Sequence, residues 1–135
     1  YNGGFNSISG GVKYMRELEW EYVKILFLGD MRELGGESRA LHVELAENIA
    51  ETDVDCVVLV GEEMQHHVYP ILLERFGEKC VFSFLNSRLA GKKIRDILAN
   101  IEDERKIVVF VKGSQNTIYL EEGIKEFLFD LRDID

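Results

Sequence analysis

Two segments of this 135-residue sequence combine residue types that can hold a polar or anionic ligand. One is residues 29–36, where Asp30 and three glycines follow an apolar run. The other is Lys112-Gly113-Ser114, which also follows an apolar run. An ammonium group, a hydroxyl and backbone N–H groups left open by glycine can together bind a carboxylate or a phosphate. The glycines are equally consistent with plain turns, so the residues alone predict a candidate polar site and no specific reaction.

Several common signatures of catalysis and metal binding do not occur in the sequence. There is no G-x-x-x-x-G-K-[ST] loop, no G-x-G-x-x-G after the first apolar run and no G-x-S-x-G elbow. Ser114 has no evident His and Asp partners. Neither Cys-x-x-Cys nor His-x-x-x-His is present, so the sequence predicts no metal site and no catalytic residue.

Four short apolar runs are rich in β-branched and aromatic residues and have the length of strands. They lack polar alternation, which is typical of strands that are buried on both faces of a sheet. The predicted strands cover residues 23–28, 56–60, 81–85 and 107–111.

Helical patterns precede the first strand and follow each of the four, with apolar residues on one face at i, i+3, i+4 and i+7. Alternation of this kind predicts a three-layer, Rossmann-like α/β fold with a mostly parallel sheet and helices on both faces. We expect one domain over residues 1–135. The predicted helices cover residues 8–20 with Ser7 or Ser9 as N-cap, 37–50, 64–76, 87–101 and 120–131.

The charge balance narrows the range of partners. The sequence has 25 acidic and 16 basic residues and a net charge of −9, so its surface repels nucleic-acid phosphate and anionic lipid. No apolar run approaches the length of a membrane span. The two cysteines each open an apolar run and are predicted to be buried thiols of a cytoplasmic protein. We therefore expect neither nucleic acid nor a membrane as partner.

Three segments together resemble motifs of the Mur ligase family. Residues 1–7, Tyr-Asn-Gly-Gly-Phe-Asn-Ser, are similar to the Y-N-x-N-P-x-S motif that opens the C-terminal domain of certain members. Residues 28–35, with Ser38 and His42 beyond them, resemble L-G-D-M-x-E-L-G…S…L-H, and residues 111–114 resemble the start of V-K-G-S-R. The order and spacing follow the family over essentially the whole chain, although Gln115 stands where the family has arginine.

The resemblance implies that this chain is the C-terminal domain of a three-domain ligase, with the N-terminal domain and the central ATPase domain absent from it. Such ligases build peptidoglycan precursors by activating a carboxylate with ATP and Mg²⁺ and passing it to an amine. The other domains bind the UDP-sugar-peptide and ATP, and the C-terminal domain closes over the ATP site. The chain alone is then expected to be inactive and to bind no cofactor tightly.

The resemblance also implies roles for individual residues. Asn2 lies where the family's C-terminal domain meets the nucleotide. Lys112, Gly113 and Ser114 lie where the incoming amino acid or D-Ala-D-Ala-like dipeptide is bound, and Asp30 is assigned to the same cleft.

Two other classes of protein remain as alternatives. A receiver-like signalling domain also has an acidic residue after its first strand and a lysine after its last. It needs an aspartate at the end of a central strand, whereas the central strands here end in Gly61-Glu62 and Leu85-Asn86. A non-catalytic α/β binding module that uses the ligase fold is the other alternative.

Overall fold

The structure, a computed structural model, describes residues 3–19, 21–102 and 105–113. Asn2, Ser114 and the helix predicted over residues 120–131 lie outside the described residues, so their predictions stay open.

The described residues form a parallel sheet of four strands in the order β3-β2-β1-β4. Each strand agrees with its predicted range to within one residue at either end, which confirms the predicted parallel sheet. In register, Ile25 of β1 lies between Cys56 of β2 and Val109 of β4. The strands are β1 (Tyr22–Gly29), β2 (Cys56–Val60), β3 (Val81–Phe84) and β4 (Lys106–Lys112).

Helices cover both faces of the sheet, as predicted. One face packs against the first three helices through a core that includes Leu26 and Leu28, and the opposite face packs against the fourth through Ile25 and Phe27. Successive residues of β1 thus point to opposite cores, which explains its unbroken apolar run. The helices are α1 (Gly3–Glu17), α2 (Ser38–Ala50), α3 (Tyr69–Phe76) and α4 (Ser87–Ala99).

The predicted bounds of the first helix were wrong. Helix α1 begins at Gly3 rather than near residue 8, and it ends at Glu17. Ser7 and Ser9 therefore lie inside the helix and do not cap it. The helix starts early because Phe5 extends the buried stripe of Ile8, Val12 and Met15 by one further turn.

The helical segment after β2 differs from the uniform helix predicted over residues 64–76. It begins at Glu62, two residues earlier than predicted, and contains a π-helical turn, Met64–Val68, before α3. Pro70 lies at the start of α3, where its ring would clash with the carbonyl four residues earlier in a regular α-helix. The wider π turn, in which the Tyr69 N–H donates to the Met64 carbonyl, accommodates this proline.

Helix α1 runs antiparallel to β1. The Lys24 ammonium, near the start of β1, donates to the Leu18 carbonyl just after α1, and to Asp53 Oδ1 at 2.7 Å. Further back along α1, Gly11 packs against Phe110, near the end of β4. The first residues of α1 therefore lie toward the carboxyl edge of the sheet. No described helix is long and apolar enough to cross a membrane.

The contact between α1 and β4 depends on the missing side chain of Gly11. A Cβ at this position would lie 2.0 Å from the Phe110 ring, whereas a Cβ at Gly10 would meet nothing within 4 Å. We predict that Gly11→Ala lowers the free energy of unfolding by about 1–3 kcal/mol because the ring must shift. Gly10→Ala should instead raise it by about 0.5–1 kcal/mol through helix propensity. Urea unfolding of both variants measures the difference, and equal effects would contradict the close packing.

Candidate functional site

The strand order places the ends of β1 and β4 side by side where the chain changes direction across the sheet. After β3 the chain returns to the far side of β1, and open parallel sheets bind ligands at such a switch point. Leu28 pairs in register with Lys112. Asp30 and Gly113 come just beyond these two residues, so Asp30, Lys112 and Gly113 lie at the same edge. The predicted strand ended at residue 111, whereas in the structure Lys112 is the last residue of β4. It is half-buried.

Asp30 is the buried charged group of this edge. Its Oδ1 accepts from the Met64 N–H at 2.8 Å, and its Oδ2 accepts from the Glu63 N–H at 3.1 Å. These donors belong to the first turn of the helical segment after β2, whose N–H groups have no partner within the helix. The carboxylate therefore caps that segment from the neighbouring strand end and complements the positive end of its dipole.

Burial raises the pKa of Asp30 above its usual value. The two backbone N–H donors act in the opposite direction, but desolvation is the larger effect. Asp30 is 8% exposed, so its carboxyl group is held by the fold and offers little surface to a ligand.

Gly61 makes this capping arrangement sterically possible. It has φ of +115°, and a Cβ there would lie 2.3 Å from the Asp30 carboxyl carbon. Its N–H donates to the Phe84 carbonyl at 2.9 Å, while the Asp30 N–H donates to the Val60 carbonyl at 3.1 Å. The ends of β1, β2 and β3 are thus joined beyond the last ladder pairs, and only glycine allows the approach.

His42 is fully buried beside this edge, on α2. Its Nε2 accepts from the Met31 N–H at 3.1 Å, and its Nδ1 lies 2.7 Å from the Ser38 carbonyl oxygen. Because Nε2 must be an acceptor for the Met31 N–H, the proton is on Nδ1, which donates to the Ser38 carbonyl. The neutral ring therefore ties the loop after β1 to the first turn of α2.

The contacts continue from α2 to the segment after β2. The Ser38 hydroxyl donates to Glu63 Oε1 at 2.9 Å, and Glu63 Oε2 lies 3.2 Å from His67 Nε2. Glu63 is therefore in contact with three neighbours, since its own N–H donates to Asp30. His67 is half-buried and His66 is exposed.

Four of these residues, Asp30, Ser38, Gly61 and Glu63, line a cavity of about 600 Å³ at the carboxyl edge of the sheet. The loop after β1 lines one side with Asp30, Glu33 and Ser38, and the segment after β2 lines the other with Glu62 and Glu63. The lining is mostly polar, and its volume suits a small molecule. The lining residues come from the β1, β2 and β3 side of the edge and do not include Lys112 or Gly113.

Sequence reasoning singled out Asp30, and the family motif included Ser38 and His42, but it gave those two residues no role. His42 occupies the first position of a buried stripe on α2 with Leu45, Ala46 and Ile49. Its i, i+3, i+4, i+7 spacing could have identified the histidine as a core residue with partners to satisfy. No sequence signal marks Glu63, because its role depends on how closely the ends of β1 and β2 approach.

A second cavity, of about 300 Å³, lies at the opposite edge of the sheet. Val23, Ile25 and Cys56 line it. Burial raises the pKa of the Cys56 thiol to about 12, which leaves it protonated and unreactive at neutral pH. Both cysteines are free, and Cys80 is only half-buried, contrary to the prediction. Among the described residues no group of three His, Cys, Asp or Glu side chains could hold a metal ion.

Solved structures with a similar fold are Mur ligases. The fold matches one part of the Mur ligase MurF from Acinetobacter baumannii with a TM-score of 0.72 and 22% identity, over 96% of this chain and 26% of that one. A MurF ligase from Thermotoga maritima in complex with ADP matches with a TM-score of 0.65 and 17% identity, over 100% of this chain and 28% of that one. The structures show the fold, an α/β domain of Mur ligase type.

The curated sequence relatives are more specific. UDP-N-acetylmuramoyl-tripeptide–D-alanyl-D-alanine ligase of Escherichia coli is 28% identical over 93% of this chain and 25% of its own length. The Rickettsia prowazekii ligase of the same name is 26% identical over 85% of this chain and 23% of its own length. No protein-family model matches the sequence. The chain spans about a quarter of the length of these relatives, which fits a C-terminal domain. The similarity confirms the predicted resemblance to Mur ligases, and both curated relatives belong to this one subfamily.

The pKa of Asp30 leads to a test by pH. Because the pKa of Asp30 is higher in the folded protein, the protonated carboxyl group stabilises the fold at pH values below its ordinary pKa of 3.8. This contribution is lost as the pH rises through the pKa of Asp30 in the folded protein. Asp30→Asn removes the titration but keeps one acceptor for the helix N–H groups. We predict that the unfolding free energy of the wild type, minus that of Asp30→Asn, falls between pH 3 and neutrality. Urea unfolding across that range measures it, and a constant difference would contradict a shifted pKa.

Proposed function

We propose that this chain is the C-terminal domain of a Mur-type ligase that joins a UDP-sugar-peptide carboxylate to an incoming amine in the cytoplasm. The observation that carries the proposal is the edge where β1 and β4 end side by side, since Asp30 and Lys112 lie there in the sequence context shared with these ligases. The sequence similarity to the two curated ligases supports it.

The proposed chemistry requires ATP and Mg²⁺, which other parts of the full-length enzyme would bind. Their role is to convert the carboxylate to an acyl phosphate, which the amine then attacks. The similarity to an ADP-bound MurF ligase supports the use of a nucleotide by the full-length protein. Nothing in the described residues resembles a nucleotide-binding loop, so this domain's proposed contribution is to bind the amine and to exclude water on closing.

The described side chains can make two distinct contributions to amine binding. Lys112 would attract the carboxylate of an amino acid or a D-Ala-D-Ala-like dipeptide, with Gly113 and Ser114 beside it. The acidic cavity lined by Glu33, Glu62 and Glu63 would favour the ammonium end. Asp30 would act through its hold on the segment after β2 rather than through direct contact, because its carboxylate already accepts two backbone bonds. Asn2 would face the nucleotide.

The function is tested by ADP release from the full-length protein that contains this chain. ATP, Mg²⁺, UDP-N-acetylmuramoyl-tripeptide and D-alanyl-D-alanine should all be required, with one amide formed per ADP. The isolated 135 residues should release none, since they contain no P-loop. ATP turnover by the isolated chain, or turnover by the full-length protein that ignores both organic substrates, would refute the proposal.

Lys112 provides the sharpest single test of the binding site. We predict that Lys112→Ala in the full-length protein lowers kcat/KM for the amine about ten- to a hundredfold, as expected when a charge-assisted contact of about 1.5–3 kcal/mol is lost. Lys106→Ala is the matched control, because Lys106 begins the same strand at the opposite edge and is exposed. Unchanged kinetics for Lys112→Ala, or an equal loss in both variants, would contradict the assignment.

A further inference from the structure

Two walls of the carboxyl-edge cavity are joined by a chain of side-chain contacts that starts at a buried histidine. The chain of contacts runs from the Met31 N–H to His42 Nε2, from His42 Nδ1 to the Ser38 carbonyl, and from the Ser38 hydroxyl to Glu63. His42 itself is buried beneath the cavity wall and does not line the cavity. Any effect of this side chain on a ligand is therefore transmitted through Met31 and Ser38, which do line it.

In the loop that His42 holds, Met31 and Leu34 are buried in the core, and the two residues between them are not. Arg32 and Glu33 are exposed, and Glu33 has φ of +60°, in the left-handed region that non-glycine residues rarely adopt. The loop re-enters regular structure at the 3₁₀ turn Gly35–Glu37. The hydrogen bond from the Met31 N–H fixes the start of the loop, and the turn and α2 fix its end. The position of Glu33 at the cavity rim thus depends on both anchors.

We propose that His42 is a positioning residue for the amine site, which fixes the loop after β1 through the lone pair of Nε2. This inference rests on the proposed function, because it assumes that the cavity binds the amine substrate. The essential feature is an acceptor at the Nε2 position facing Met31. The donor at Nδ1 is secondary, since the Ser38 carbonyl is in the first turn of the same helix and holds the ring in place.

The two ring positions can be separated by amide side chains. Glutamine places its terminal oxygen near the position of Nε2 and can accept from the Met31 N–H. Asparagine reaches only to the position of Nδ1 and leaves that N–H without a partner. In the full-length ligase, His42→Asn should raise the KM for D-alanyl-D-alanine about three- to tenfold, the loss of one hydrogen bond, whereas His42→Gln should stay within about twofold of wild type. The KM for ATP should change in neither.

A second pair of variants tests the contact between Ser38 and Glu63 while keeping the His42 side chain and its bond to the Ser38 carbonyl. Ser38 is only half-buried, so Ser38→Ala and Ser38→Thr should both fold. Ser38→Ala loses the hydroxyl donor and should raise the same KM about two- to fivefold, the lower part of the range for one hydrogen bond, while Ser38→Thr keeps the donor and should restore it. Glu47→Gln, on an exposed position of α2, is the control and should change nothing.

The outcomes are distinguishable. A wild-type protein that does not ligate D-alanyl-D-alanine overturns the proposed function and this inference with it. An active wild type in which the two His42 variants raise the amine KM equally, or in which neither raises it, overturns the inference alone. So does a loss of thermal stability in His42→Asn with wild-type KM, because that is the result of a purely structural histidine. If His42→Asn fails to fold, a folded His42→Gln with a clearly raised amine KM overturns it, because glutamine keeps the acceptor facing Met31.

Discussion

The carboxyl edge of this sheet depends on one buried carboxylate. Asp30 leaves β1 and accepts the N–H groups of Glu63 and Met64, and Gly61 gives it the room to do so. Removing water from a carboxylate is costly unless hydrogen bonds replace the lost hydration. Two helix N–H groups donate these hydrogen bonds, and they would themselves lack partners without Asp30. The raised pKa of Asp30 indicates that the compensation is incomplete, which is consistent with a residue placed for geometry rather than for stability.

The remaining polar residues of the edge extend the same arrangement outward. Glu63 is held by Asp30 through its backbone and contacts Ser38 and His67 through its side chain. His42 holds the loop on the other side of Asp30. A cavity lined by loops is usually mobile, but here both walls are tied to the ends of buried strands. The opposite edge is joined differently, because the Lys24 ammonium there holds the end of α1 and Asp53. The cavity at that edge combines apolar residues and an unreactive thiol with four charged side chains, those of Asp55, Lys79, Glu102 and Arg105.

Periodicity predicted the sheet well because strands buried on both faces have a strong and local signal. The predicted parallel sheet also implied that the ends of β1 and β4 lie at the same edge, since parallel strands place their carboxyl ends together. Local patterns failed where a distant or non-helical constraint decided the outcome. Phe5 extended α1 toward the start of the chain, Pro70 required a π turn, and Glu63 gained its role from the packing of two strand ends. The resemblance to Mur ligase motifs implied roles for Asp30 and Lys112 that residue types alone could not, and those roles are proposals.

We propose that the amine substrate binds at the carboxyl edge and not in the cavity at the opposite edge. Hydrogen exchange of the full-length protein, with ATP analogue and UDP-sugar-peptide present, measures this directly when D-alanyl-D-alanine is added. We expect added protection in peptides covering residues 30–38 and 61–67 and no change in those covering residues 21–25 and 97–102. Bound ligand restricts local opening of the segments it contacts. Protection confined to the second set, with residues 30–38 unaffected, would contradict the account.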